Sequence, residues 1–302
     1  MSHRRNGLAR VLGGACLGVM VLMAACASSP TSASYDASQN HLHGILALSG
    51  VPNTVLVASH VGLYRSIDAG AHWQVVAGLA GQPMAGLMLF QVVQSSVDPQ
   101  TLYVLAITRT DGPQVAHPQP GMYVSHDAGQ TWALATALSV FPVPQIYALG
   151  SGSASAGDVY AISRATENFY HSADGGHTWT TIAPIPNPQG ILGVGGQAAL
   201  AWSITDGVYR TTDGGATWHA AAGIGNGIYA VAPVGALVYA SGNDGVYVSL
   251  DGGAHFTLTA TGLRFTTIIA SAVAPKRAYG LAGADVQLTT DGGHSWQAVT
   301  PT

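Results

Sequence analysis

The octet TTDGGATW, residues 211–218, decides the fold of this chain because it occurs six times in variant form. Each copy carries a hydroxyl residue, an aspartate two positions later, small residues, and an aromatic residue five positions after the aspartate. The last three intervals between the aspartates are 39, 38 and 40 residues, which predicts one repeated unit of about 40 residues. The aspartates are Asp68, Asp127, Asp174, Asp213, Asp251 and Asp291.

Short stretches rich in β-branched and aromatic residues surround each octet. GVYR (207–210) stands before one copy, and WTTI (179–182) contains the end of another. Two more stretches lie upstream in each unit, as in QIYALG (145–150) and DVYAIS (158–163). Four short strands in about 40 residues are typical of a propeller blade. The sequence therefore predicts an all-β fold, a single β-propeller of six four-stranded blades over residues 41–302. The alternative is seven blades, with the segment before His41 completing a divergent blade.

The octet resembles the Asp-box, or BNR, repeat, Ser/Thr-x-Asp-x-Gly-x-Thr-Trp. This repeat occurs in sialidases, sortilin-type receptors, some xyloglucan-cleaving enzymes and photosystem II stability/assembly factors. The resemblance implies that each octet is the turn between the third and fourth strands of a blade. Its chemistry agrees, because aspartate can accept amide hydrogen bonds within a turn, glycine adopts positive φ, and an aromatic ring packs between sheets. We interpret the six aspartates as structural, since a catalytic site would hardly be copied six times.

The N-terminal segment has the pattern of a secretory signal. Three arginines, Arg4, Arg5 and Arg10, precede an apolar run over residues 11–25. That run is shorter than the roughly 20 residues of a membrane-spanning helix. The sequence therefore predicts a signal peptide over residues 1–25.

Met23 to Cys26 resembles the lipobox of bacterial lipoproteins. The resemblance implies cleavage before Cys26 and attachment of lipid to this cysteine. The Ser- and Ala-rich residues that follow suit a flexible tether, so residues 26–40 are predicted to be lipidated cysteine and tether. We therefore expect an extracytoplasmic protein of the bacterial cell envelope, held to the membrane through its lipid anchor.

The charge of the chain argues against nucleic acid as a partner. The formal net charge is -4, and Lys276 is the only lysine. Binding to nucleic acid needs a basic patch or stripe, which this sequence lacks.

Catalytic residues of the sialidase type are not evident in the sequence. The resemblance to sialidases implies an arginine triad, a tyrosine activated by a glutamate, an aspartate acid/base and an Arg-Ile-Pro motif. This chain lacks the tripeptide, and its single glutamate is Glu167. Arg65 and Arg210 occupy equivalent positions of two repeats, so they do not indicate a convergent triad. We expect a non-catalytic binding or scaffold module without a cofactor. The alternative is a sialidase-like glycoside hydrolase, for which two carboxyl groups flanking a sugar bond would suffice.

A third possibility is a metal-binding envelope protein. His41 and His43 are two residues apart and so share one face of the first strand. A hairpin turn at GVPN (50–53) would place His43 opposite His60. Three imidazoles are a known ligand set for zinc, and imidazole also suits copper.

Ligands of propellers commonly bind on the face opposite the octet turns, where an unknown protein or glycan is expected here. Charged and imidazole side chains predicted for this face are its candidate contacts. They are Arg109, Asp111, His117, Arg164, Glu167, Asp206 and Asp244.

Overall fold

A computed structural model describes residues 42–68, 71–109, 118–141, 146–272, 274–282 and 285–299. Across these ranges, 24 strands form six sheets, each made of four consecutive antiparallel strands. The sheets are arranged in a ring, so the predicted six-bladed β-propeller is confirmed. A single 3-10 turn, Leu138–Val140, is the only helical element in the same ranges. The predicted signal peptide, Cys26 and the tether lie outside the described residues.

The first three blades contain β1 to β12. Blade 1 consists of β1 (Leu42–Ala47), β2 (Val55–Ser59), β3 (Leu63–Ser66) and β4 (Gln74–Ala77). Blade 2 consists of β5 (Leu87–Gln94), β6 (Leu102–Thr108), β7 (Gly121–Ser125) and β8 (Ala133–Ala137). Blade 3 consists of β9 (Ile146–Ser151), β10 (Val159–Ser163), β11 (Phe169–Ser172) and β12 (Thr180–Ile182).

The last three blades contain β13 to β24. Blade 4 consists of β13 (Pro188–Gly195), β14 (Ala198–Ser203), β15 (Gly207–Thr211) and β16 (His219–Ala220). Blade 5 consists of β17 (Ala230–Val234), β18 (Leu237–Ser241), β19 (Gly245–Ser249) and β20 (Thr257–Thr261). Blade 6 consists of β21 (Thr267–Ala270), β22 (Ala278–Ala282), β23 (Asp285–Thr289) and β24 (Gln297–Ala298).

The first strand of every blade lies innermost, around a central channel. A cavity of about 620 Å³ is lined by residues of all six first strands. The second and third strands are the most deeply buried because they pack against neighbouring blades on both faces, which explains their nearly continuous apolar sequence. The innermost strands contribute Leu46, Val93, Leu149, Leu192, Val234 and Ala270 to the channel wall.

Five clusters of buried apolar side chains hold consecutive blades together. Each cluster combines residues of one blade with residues of the next, from blades 1 and 2 to blades 5 and 6. The aromatic residue that ends an octet packs against the cluster shared with the preceding blade, as predicted. Trp132, Trp179, Trp218, Phe256 and Trp296 do so.

Trp73, in the first octet, differs from its five counterparts. Its side chain is 41% exposed. The preceding blade in the ring is blade 6, where Ile269, Tyr279 and Leu281 are also exposed. Over the residues that the structure describes, no buried cluster joins blade 6 to blade 1, so Trp73 has less apolar surface to cover it.

Two glutamines of β5 connect the inner strands of three blades. Gln91 Nε2 donates to the carbonyl of Leu149 at 3.0 Å, and the Leu149 amide donates to Gln91 Oε1 at 2.7 Å. In the same way, Gln94 Nε2 donates to the carbonyl of Ser49 at 3.0 Å, and its Oε1 accepts the Ser49 amide at 2.8 Å. Each glutamine side-chain amide thus donates one hydrogen bond to a backbone carbonyl and accepts one from the amide of the same residue, as the backbone of a neighbouring strand would.

None of the elements in the described ranges is a helix of the length and apolarity that a membrane crossing requires.

Candidate ligand-binding rim

The antiparallel order of each blade separates the octet turns from the other loops. An octet always joins the third strand to the fourth, so all six lie on one face of the ring. The loops that join the second strand to the third, and those that enter the first strand, lie on the opposite face. We call this opposite face the rim.

Each octet aspartate is bound by donors of its own turn. In the octet at residues 211–218, Asp213 Oδ1 accepts the Thr211 hydroxyl at 2.6 Å and the Thr217 amide at 2.9 Å. Asp213 Oδ2 accepts the Thr217 hydroxyl at 2.6 Å. Gly215, at φ +92°, donates its amide to the Thr211 hydroxyl at 3.0 Å. Both Thr211 and Asp213 therefore accept hydrogen bonds from within the turn. Most of the lone pairs of the carboxylate are therefore used within the turn.

The same donors lower the pKa of the octet carboxyl groups. Hydrogen bonds from the Thr178 hydroxyl and amide lower the pKa of Asp174 to about 2. In two octets a histidine replaces the threonine, and its Nδ1 lies 2.6 Å from the carboxylate, in His72–Asp68 and His255–Asp251. The backbone and imidazole hydrogen bonds of these histidines hold the pKa of both aspartates far below the usual range. These acids stay ionised and do not act as proton donors at neutral pH.

On the rim side, the first strands of blades 1 to 4 contain a β-bulge at equivalent positions. The bulged residues are His43, Phe90, Tyr147 and Gln189, each unpaired between two residues of regular register. Tyr229 occupies the corresponding place in blade 5, immediately before Ala230, which pairs with Ser241. A bulge turns its side chain away from the regular alternation of the strand. We call these five residues the collar, because they stand at the rim end of the strands that surround the channel.

A cleft between blades 2 and 3 opens on the rim beside the collar. Its volume is about 620 Å³. Its walls are largely apolar, with a few polar groups from the loops, which is the usual composition of a small-ligand or side-chain pocket. It is lined by Phe90, Ile107, Thr108, Gln119, Pro120, Leu138, Ser139, Ile146, Tyr147 and Arg164.

Arg164 and Tyr147 also line a second cavity, of about 180 Å³, on the side of this pair that faces away from the cleft. The Arg164 guanidinium carbon lies 5.3 Å from the centre of the Tyr147 ring, within the range of a cation–π contact. Burial raises the pKa of Tyr147, so its hydroxyl stays protonated and the ring stays uncharged. Arg264 stands in the same relation to Tyr229, also at 5.3 Å. The collar therefore presents two aromatic rings that are each covered by an arginine.

Two of the three predicted histidines meet at the collar. His43 Nε2 lies 3.3 Å from His60 Nδ1, and the two ring centres are 5.5 Å apart. The register of β1 and β2 differs by one from the expected pairing, because Ile45 pairs with Val57 and His43 is bulged. The bulge nevertheless turns His43 toward His60. His41 lies outside the described residues.

The rim acids are each hydrogen-bonded within their own loop or to the next one. Asp206 accepts the Thr205 hydroxyl, and Asp244 Oδ2 accepts the Tyr247 hydroxyl at 2.7 Å. Glu167 Oε2 accepts the backbone amide of Asn187 at 3.3 Å. All three side chains are exposed and belong to three different blades.

Arg109 directly follows β6 and is half-buried at the rim. Asp111 and His117 belong to the next part of this loop and lie outside the described residues. Among the residues that are described, no group of three or more His, Cys, Asp or Glu side chains has the geometry of a metal site.

Sequence reasoning missed the aromatic members of the collar. Phe90, Tyr147 and Tyr229 lie in segments that the pattern assigns to first strands, where an aromatic residue reads as core. The signal was present in QIYALG (145–150) and GIYAVA (227–232), which share an Ile-Tyr-Ala sequence at the same blade position. Only the bulge, which a strand pattern does not reveal, places these rings at the rim.

Comparisons with known proteins agree with this architecture. The sequence model described as BNR/Asp-box repeat matches residues 123–134 and 209–220, so the chain carries BNR/Asp-box repeats on a β-propeller. Among curated proteins, none matches the chain significantly.

Solved structures with a similar fold include a GH74 xyloglucanase and a chain of a nidogen/laminin complex. A GH74 xyloglucanase from Xanthomonas campestris matches with a TM-score of 0.54 at 17% identity, over 82% of this chain and 44% of that chain. A chain of a nidogen/laminin complex matches with a TM-score of 0.56 at 8% identity, over 82% of this chain and 93% of that one. YCF48 bound to a D1 peptide matches with a TM-score of 0.47 at 16% identity, over 70% and 72%.

The chain spans only 34% and 44% of the length of two GH74 enzymes that it resembles. At these identities the likeness is one of fold.

Proposed function

We propose that this protein is a non-catalytic binding or scaffold module of the bacterial cell envelope. In this proposal, its rim binds a protein segment or a glycan at the collar and in the cleft between blades 2 and 3. Cys26 carries the lipid that holds the domain to the membrane, and residues 27–40 form the tether.

The pair Tyr147–Arg164, shared by two cavities, is the observation that carries the proposal. An aromatic face accepts apolar side chains or the C–H face of a sugar ring, and the guanidinium binds carboxylates bidentately. Among the described acidic side chains, none forms an ion pair with Arg164. Its charge is therefore available to a ligand that enters the cleft.

The arrangement of the rim acids supports binding over catalysis. A glycosidase places two carboxyl groups on either side of the bond that it cleaves. Here Glu167, Asp206 and Asp244 stand on separate blades, and each accepts a local hydrogen bond.

The position of β1 relates the anchor to the rim. The first described strand begins at the rim side of blade 1, so a tether that precedes it reaches the domain on that face. A flexible tether of 14 residues has a root-mean-square extension of roughly 20 Å.

Binding of probes to the full mature chain tests the rim. We suggest an array of defined glycans and synthetic peptides, followed by titration of the best probe against the wild type, Tyr147→Ala, Arg164→Ala and Arg277→Ala. Arg277 is an exposed arginine on the octet face and serves as the matched control. A hydrogen bond to a charged group contributes about 1.5–3 kcal/mol, so loss of Arg164 should weaken binding of a carboxylate-bearing probe about 10- to 100-fold.

Two results would contradict the proposal. One is probe binding that survives both rim substitutions. The other is turnover of chromogenic glycosides that disappears in Glu167→Gln or Asp244→Asn, which would favour a sialidase-like hydrolase.

The anchor has a separate test. Full-length protein made in a bacterial host with a radiolabelled fatty acid should carry label and sediment with membranes. In Cys26→Ser the label should be absent and the protein should move to the soluble fraction. Label that persists in Cys26→Ser would disprove lipidation at this residue.

A further inference from the structure

His43 and His60 form a pair of imidazoles at the rim end of blade 1, and neither of them lines the cleft between blades 2 and 3. His60 directly follows β2 and is only 9% exposed. His43 sits on the bulge of β1, and its ring centre is 5.3 Å from that of Phe90. Both rings are therefore positioned by strands of the propeller, with an aromatic side chain against one of them.

The distance between the two facing nitrogens matches the distance expected between two ligand atoms of one metal ion. Zinc binds imidazole nitrogen at about 2.0–2.1 Å with tetrahedral geometry, which separates two ligand nitrogens by about 3.3–3.4 Å. His43 Nε2 and His60 Nδ1 are 3.3 Å apart. The two nitrogens are also within hydrogen-bonding distance of each other, so in the metal-free protein a single proton can lie between them.

We propose that His43 Nε2 and His60 Nδ1 together bind one zinc or copper ion at the collar. Imidazole is a preferred ligand of both metals. Binding requires both facing nitrogens in their unprotonated form, so the ion takes the place of the proton between the rings. Two imidazoles supply two of the four ligands of a tetrahedral zinc site, so the ion needs further ligands from water, from the chain or from a bound partner.

Titration of the metal-stripped full chain with ZnCl2 and, separately, CuCl2 tests the site by calorimetry. We expect one equivalent of ion to bind. Loss of a second-shell partner alone weakens metal binding about 10- to 100-fold, so His43→Ala and His60→Asn should each weaken it at least about tenfold. His219→Ala is the matched control, because His219 is an exposed histidine of β16 on the outer edge of blade 4. The control should bind like the wild type.

A spectroscopic readout on the wild type keeps the proposal testable if His60→Asn fails to fold. In the copper complex, electron paramagnetic resonance should show hyperfine coupling to two or more imidazole nitrogens, and His43→Ala should remove one of them. Circular dichroism shows whether each variant keeps the β-sheet fold. Absence of uptake by the wild type, coupling to fewer than two nitrogens, or equal affinity in His43→Ala would overturn the proposal.

Discussion

Asp158 is the most informative position for a test of how this propeller is held together. It lies in the loop between β9 and β10, and its side chain is only 2% exposed. Its Oδ1 is 2.5 Å from His171 Nε2, and its Oδ2 accepts the amides of Ser153 and Ala154 at 2.7 and 2.8 Å. Burial by itself would raise the pKa of Asp158, but these donors outweigh it and lower the pKa below its ordinary value.

Two substitutions separate the contact from the charge. Asp158→Ala leaves two buried amides and His171 without their partner, and removing one member of a buried pair costs about 3–5 kcal/mol. Asp158→Asn keeps the shape and can still pair with all three groups, so it loses only the charge. Because hydrogen bonds to a charged group are about twice as strong as neutral ones, we expect this variant to cost about 1–3 kcal/mol.

Thermal unfolding followed by circular dichroism measures both effects. For a domain of this size, 1 kcal/mol lowers the midpoint by about 2–4 °C, so Asp158→Ala should lose about 6–20 °C at pH 7. Asp98→Asn is the matched control. Asp98 lies in the equivalent loop of blade 2 and accepts hydrogen bonds from Thr101 and Gln100, but it is only half-buried. The control should shift the midpoint less than Asp158→Asn.

The pH dependence has a definite sign. Because the folded-state pKa of Asp158 is lower than the unfolded value of 3.8, its stabilisation is complete well above pH 3.8. It is lost as the pH falls through 3.8 toward the folded pKa. The gap between wild type and Asp158→Asn should therefore shrink as the pH falls through 3.8. A gap that does not change with pH, or a loss in Asp158→Ala no greater than in the control, would refute this reasoning.

Two further substitutions test the contacts between blades by the same unfolding assay. Gln91→Ala removes both hydrogen bonds to the next inner strand. It should cost about 1–2 kcal/mol of stability, because water in the channel can replace part of these bonds. Gln197→Ala changes an exposed side chain and should be nearly neutral, so equal effects of the two substitutions would contradict the role of Gln91. Gly150→Ala would place a methyl group against the Ile191 carbonyl and should cost about 1–3 kcal/mol or more by overpacking. Gly44→Ala has room in its innermost strand, so equal loss in both would show that close approach is not the cause.

The candidate site was predictable from the sequence only in part. The octets predict which loops lie on the opposite face, and Arg164, Glu167, Asp206 and Asp244 lie in those loops. Their contact with a ligand stays a prediction. Regular strand pairing, however, assumes that no residue is skipped. The bulge at His43 breaks that assumption, and no residue type in the strand predicts the bulge.

The sequence by itself determined the architecture of this protein. Six octets, each with an acid that accepts hydrogen bonds from its own turn and an aromatic residue at a constant offset, repeat a local unit whose contacts span only a few residues. Such short-range chemistry can be read directly from residue spacing.

Tertiary structure alone decided the geometry of the proposed binding surface. The cleft between blades 2 and 3, the pairing of Tyr147 with Arg164, and the approach of His43 to His60 join residues from different strands and loops. Their distances depend on bulges and on how neighbouring blades pack, and both are set by long-range contacts that no local pattern encodes. For that reason the repeat that specifies the fold does not describe the proposed binding surface, which depends on the irregular positions at the ends of the innermost strands.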